Sequence, residues 1–141
     1  MSQNVDTVRE LYEAFNRRDW ESAKDLLDPD VELHGTIGGL EEDLFLRGRD
    51  AIRQRFEIED DEVWDEHRIE PERLVDAGAQ VVVIHREYQR AKASGIEIEG
   101  KSAAVLDVRN GRIIGMRPYM DPAAALDAVG LSAQDAHGDA S

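Results

Sequence analysis

The chain has 141 residues, 41% of them hydrophobic, which is enough for one domain with a sizeable core and implies no second module. Its 31 Asp and Glu outweigh 17 Lys and Arg to give a formal charge of −14, so a phosphate backbone would be repelled and no nucleic-acid partner is expected. Without cysteine there are no disulfides, thiolate nucleophiles or thiolate zinc sites, and any chemistry falls to oxygen and nitrogen groups.

The N-terminal stretch begins polar and turns amphipathic, and nowhere do ~18 apolar residues run together, so neither a secretory signal nor a membrane span is expected and the default location is cytoplasmic. Val5, Val8, Leu11, Tyr12 and Phe15 recur at helical spacing and predict an amphipathic helix over about residues 4–18. Asp19 is placed to cap a second short helix carrying Trp20, Ala23, Leu26 and Leu27, which Asp28 and Pro29 end, since a residue before proline is driven out of helical geometry. Val31 to His34 reads as a brief strand and Gly35 to Leu46 as a loop without period. After Gly48, a third helix places Ala51, Ile52 and Phe56 on one face. The acidic run from Glu57 to Glu66 reads as a solvated helix end or exposed loop.

From about Glu72 the pattern turns to β, with strands predicted at Arg73 to Val75, Gln80 to Gln89, Lys101 to Val108 and Arg112 to Met120. Asn110 and Gly111 favour a tight hairpin turn with positive φ at both central residues, which makes the last two strands antiparallel neighbours. Asp121 and Pro122 stop the final strand, one or two helical turns follow from Ala123 to Val129, and Ser132 to Ser141 reads as a polar, disordered tail after a domain spanning 1–131. Helices interleaved with one strand and followed by an antiparallel meander define an α+β fold with helices on one side of a curved sheet.

The end of the first helix at Phe15, Asn16, Arg17, Arg18, Asp19 and Trp20, the Asp28, Pro29, Asp30, Val31 strand entry, the Gly48, Arg49, Asp50, Ala51, Ile52 helix start and the closing Arg117, Pro118, Tyr119, Met120, Asp121 run together resemble SnoaL-like and ketosteroid-isomerase-like proteins of the nuclear transport factor 2 superfamily. The resemblance covers about residues 5–130 and implies a cone-shaped, cystatin-like α+β domain: three to four helices on a strongly bent, mostly antiparallel sheet, with a pocket between them. It also implies a homodimer through the other sheet face. Val81 and Val83 point one way and Val82 and Ile84 the other, so both faces of that strand need cover, and a partner subunit is the expected second layer.

Alternation places His85 and Glu87 on one face of their strand, and Arg117, Tyr119 and Asp121 on one face of theirs. If both sets face inward, carboxylates and an imidazole converge in a way suited to proton transfer. The limonene epoxide hydrolases of the same superfamily are similar in placing an Arg, x, Asp pair on a middle strand and a second Asp at the end of the last. His85, Glu87 and Asp121 occupy the corresponding positions, which implies a proton-handling set. The departures are His for Arg, Glu for Asp, and Leu33 and Gly35 where a Tyr and an Asn would hold a water. The acids of a steroid isomerase fall at Gly35 and near Ala104, so classical steroid isomerisation is disfavoured.

Two readings follow. In one, His85, Glu87 and Asp121 perform cofactor-independent acid–base chemistry of hydrolase, isomerase or cyclase type on a small, largely apolar molecule, with Tyr12, Trp20, His34, Arg117 and Tyr119 contacting it. In the other, the pocket binds such a molecule without chemistry. Plainer roles stand beside these: Asp121 as a helix N-cap, Arg117 with Glu87 as a cross-strand ion pair, and Tyr119 as packing. Neither a metal nor a cofactor is expected, because His34, His85, Glu87 and Asp121 show no close ligand spacing.

Overall fold

The computed structural model describes residues 2–132. Ser2 opens helix α1 (Gln3–Asn16), its hydroxyl accepting hydrogen bonds from the Asn4 and Val5 amides, and the Val5, Val8, Leu11, Tyr12 stripe is buried. Asp19 caps α2 (Trp20–Asp25) through the Ser22 amide as its position predicts. Leu27 then begins strand β1 (Leu27–His34) and is not the end of the helix. Strand β2 (Phe45–Arg47) pairs antiparallel with β1, so the predicted loop closes into sheet at its end.

The acidic run departs most from expectation. Helix α3 (Arg49–Ile58) passes into a π-helical turn (Glu59–Val63), and strand β3 (Trp64–Ala77) begins at once. The short strand predicted at Arg73 to Val75 is thus the end of a long one. Its partner β4 (Gln80–Ala91) pairs with it from Ala77↔Gln80 to Trp64↔Ala91. Pro71 is tolerated because β3 is an edge strand and the register shifts between Pro71 and Arg73. Strands β5 (Glu97–Arg109) and β6 (Arg112–Tyr119) complete a six-stranded sheet in the order β2-β1-β6-β5-β4-β3, antiparallel except where β1 runs parallel to β6. Asn110 and Gly111 have φ of 54° and 77°, as the hairpin turn requires.

Each sheet face carries its own apolar cluster. The inner face, with Val81, Val83 and Leu106, packs against α1 through Val5, Val8 and Leu11. The outer face, with Val82, Ile84 and Val105, packs against Ala125 and Leu126 of helix α4 (Pro122–Ala128). The second layer that strand patterning demands therefore comes from the chain's own last helix, and this burial needs no partner subunit. The expected tail lies, beyond Ser132, outside the described residues. No helix among those described is long and apolar enough to cross a membrane.

The Asn16 side chain anchors α1 to the edge of the sheet. Its amide donates to the Ile69 carbonyl (2.8 Å) and its carbonyl accepts from the Ile69 amide (3.0 Å). An alanine there leaves both backbone groups of an edge strand without partners. Asn16→Ala is expected to cost on the order of 1–3 kcal/mol in urea denaturation, with greater amide exchange at Ile69 than at Val82.

Candidate functional site

A cavity of about 600 Å³ opens between the inner sheet face and the helices. Its walls are mostly apolar. Phe15 at the end of α1, Trp20 at the start of α2 and Phe56 near the end of α3 meet there, with Phe15 centred 5.5 Å from each of the other two rings in edge contact. The end of α1, the start of α2 and the last turn of α3 converge there, each turning an aromatic side chain into the same gap. The loop after β1 closes one side of the mouth. It folds back so closely that a methyl group on Gly35 would overlap the Glu41 carbonyl, and Gly35 donates its amide to the Leu44 carbonyl at 2.8 Å.

The floor is polar and comes from the hairpin of β3 and β4. His67 and Ile69 on β3 lie opposite Gln89 and Glu87 on β4, and all face the cavity. His67, 9% exposed, donates its Nε2–H to Glu87 Oε2 at 2.6 Å. Two residues back on the same face, His85 is 5% exposed, with its Nδ1 3.3 Å from the Ser102 hydroxyl on β5 and its ring centred 5.8 Å from Tyr12. Burial holds the His85 imidazole below its ordinary pKa, the charge of Glu87 pulling weakly the other way, so it is neutral near pH 7. Burial, reinforced by Glu87, raises the Tyr12 phenol far above its ordinary value and keeps it a neutral donor. A carboxylate held by one imidazole thus shares the cavity with a second, neutral imidazole and a phenol.

The structure brings together only part of the residue set expected from sequence. His85, Glu87, Tyr12 and Trp20 line the cavity. Asp121 does not: its carboxylate caps α4 by accepting from the Ala123 amide at 3.0 Å, the plainer role its position before proline allows. Arg117 lies opposite Val105, a residue of the outer cluster, and with His34 borders a separate groove outside the cavity. Arg117 therefore makes no ion pair with Glu87, which turns to His67. Tyr119 touches the cavity edge but packs in the outer cluster opposite Ala103. Arg117 and Tyr119 do share a face of β6, but it is the outer one, and Asp121 lies beyond the end of the strand.

His67 lies just past the acidic run Glu57 to Glu66 and before the first predicted strand at Arg73, so the sequence reading assigns it no element. The signal was present: His67 and Ile69 alternate with charged Arg68 and Glu70 at the period of a half-buried strand. Arg18, at φ 61°, fixes this strand from the helix side, donating to the His67 carbonyl at 2.6 Å and pairing with Asp60 at 2.6 Å. Among the described residues no three His, Asp or Glu side chains are placed to hold a metal ion.

Helices folded over a curled, unclosed six-stranded sheet with a cavity between them define the nuclear transport factor 2-like class. Residues 8–116 match the SnoaL-like domain, and the chain belongs to that family. Among solved structures, a nuclear transport factor 2-like protein of unknown function from Burkholderia pseudomallei is similar at 29% identity and a TM-score of 0.74, over 92% of this chain and 99% of that one. An LEH-like epoxide hydrolase from M. tuberculosis is similar at 18% identity and a TM-score of 0.71, over 84% and 83%. A proposed polyketide cyclase from Xanthomonas campestris is similar at 22% and 0.68, over 91% and 97%. The last two likenesses are of fold. No curated protein matches the chain.

The depressed pKa of His85 has a consequence for stability. Once unfolded, its imidazole binds a proton at about pH 6.5, above the folded value, so the unfolded state gains protons first as pH falls. Stability from this residue is complete above about pH 6.5 and is lost as pH falls toward the folded pKa, where the loss levels off. Denaturation at about pH 7.5 and about pH 5.5 should show a smaller loss for His85→Gln than for the wild type.

Proposed function

We propose that the chain binds a small, largely apolar molecule in this cavity and moves a proton on it, with Glu87 as base. The observation that carries this reading is the His67–Glu87 pair at the floor of a mostly apolar chamber. A carboxylate so placed is kept in position by the imidazole and accepts a proton from a C–H or from a water above it. Tyr12 O–H and the N–H of neutral His85 are the donors for an oxygen on which charge builds, and the proton then returns from Glu87 to another atom of the substrate. The likeness in fold to an epoxide hydrolase and a proposed polyketide cyclase supports chemistry on small carbonyl compounds or epoxides.

A pure binding role has one observation in its favour: His67 and Glu87 satisfy each other. Hydrophobic carbonyl compounds and epoxides, screened for binding and turnover, separate the two. For a compound that reacts, Glu87→Gln is expected to lower kcat by about 10²–10⁴ while binding changes little, and Asp121→Asn to leave kcat near wild type. Turnover that survives Glu87→Gln contradicts the assignment of the base. Binding of many compounds with reaction of none favours the second reading.

A further inference from the structure

Every fully charged side chain that lines the cavity is an acid. Glu41 on the loop after β1, Glu59 and Asp60 in the π-helical turn, and Glu87 on the floor border it, with no lysine or arginine among the described lining residues. Two guanidinium groups sit behind the rim. Arg55 bridges Glu41 (2.9 Å) and Glu59 (2.7 Å), and Arg18 holds Asp60 (2.6 Å). At the rim three carboxylates face two guanidinium groups, an excess of one negative charge, and Glu87 adds a carboxylate at the floor.

The acids do not stand alone. Glu59 and Asp60 follow Phe56 by three and four residues, so the rim carboxylates adjoin the patch of Phe15, Trp20 and Phe56. Aromatic faces attract cations, and a carboxylate beside them adds direct charge attraction. Inside, the Tyr12 hydroxyl, on a residue 9% exposed, lines the cavity with no hydrogen bond to another described residue, and so is a donor open to a polar group on the inner part of a ligand.

Resting on the reading of the cavity as a small-molecule site, we propose that its ligand is a cation: a compact, ring-bearing amine whose ammonium lodges between the Glu41–Glu59–Asp60 rim and the aromatic patch, its apolar body pointing to the floor. Carboxylates and phosphate esters of the same shape are excluded by the same charges. The rim's excess charge is partly exposed, so the preference weakens with salt.

Calorimetric titration at low ionic strength with three compounds of one shape tests this: 2-phenylethylamine, 2-phenylethanol and phenylacetate. The amine is expected to bind about tenfold or more tighter than the alcohol, with phenylacetate weakest. That advantage should shrink several-fold in the double variant Glu41→Gln/Glu59→Gln. An alcohol that binds as tightly as the amine, or phenylacetate binding best, overturns the charge preference and leaves the cavity reading standing. An amine advantage that persists in full in the double variant also overturns it, because it then reflects the −14 net charge of the whole chain. No binding by any of the three contradicts the small-molecule reading itself.

Discussion

Side chains alternate along β4, and that parity decides which chemistry this fold holds. Val81, Val83, His85 and Glu87 point inward as one set, while Val82 and Ile84 point outward. A slip of one residue would move the imidazole and the carboxylate to the outer face and bury Arg86 in their place. The register is fixed on both sides: β3 runs beside β4 for its full length, and β5 pairs with it from Gln80↔Asp107 to Arg90↔Glu97. Both faces of its first half are covered, so a slip would also expose valines on one side or the other.

The same parity explains which groups meet. Because β3 and β4 are antiparallel neighbours, His67 reaches Glu87 across the hairpin, and the two polar groups satisfy each other in a place where either alone would be costly. Ser102 reaches His85 from β5 by the same rule, as the residue directly opposite. On β6 the rule runs the other way for the candidate residues. Met116 and Pro118 face in, so Arg117 and Tyr119 face out, and the chain leaves the sheet at Asp121 to begin α4.

Much of this was legible in the sequence. The α1 stripe, the Asp19 cap, the Asn110–Gly111 turn and the two-sided burial of β4 each follow from local chemistry that tertiary structure left intact. What the sequence hid was of two kinds. The first half of β3 was masked by its acidic neighbours and by Pro71, which argue against a strand unless it lies at a sheet edge and pairs with a long partner. The inward or outward sense of β6 was hidden because alternation gives which residues share a face, not which face that is. Only the packing of α4 against Val82, Ile84 and Val105 fixes it. That packing also supplies the outer cover that strand patterning demands.

The central claim is that the inner cavity, with His67, Glu87 and His85 at its floor, is the working site, and that the outer groove bordered by His34 and Arg117 is not. It is tested most directly by the imidazole resonances of His67, His85 and His34, followed by NMR while a ligand that the protein binds is brought to saturation. The account predicts that the His67 and His85 signals move together along one binding curve while His34 stays fixed. Movement of His34 with His67 and His85 unchanged would contradict it.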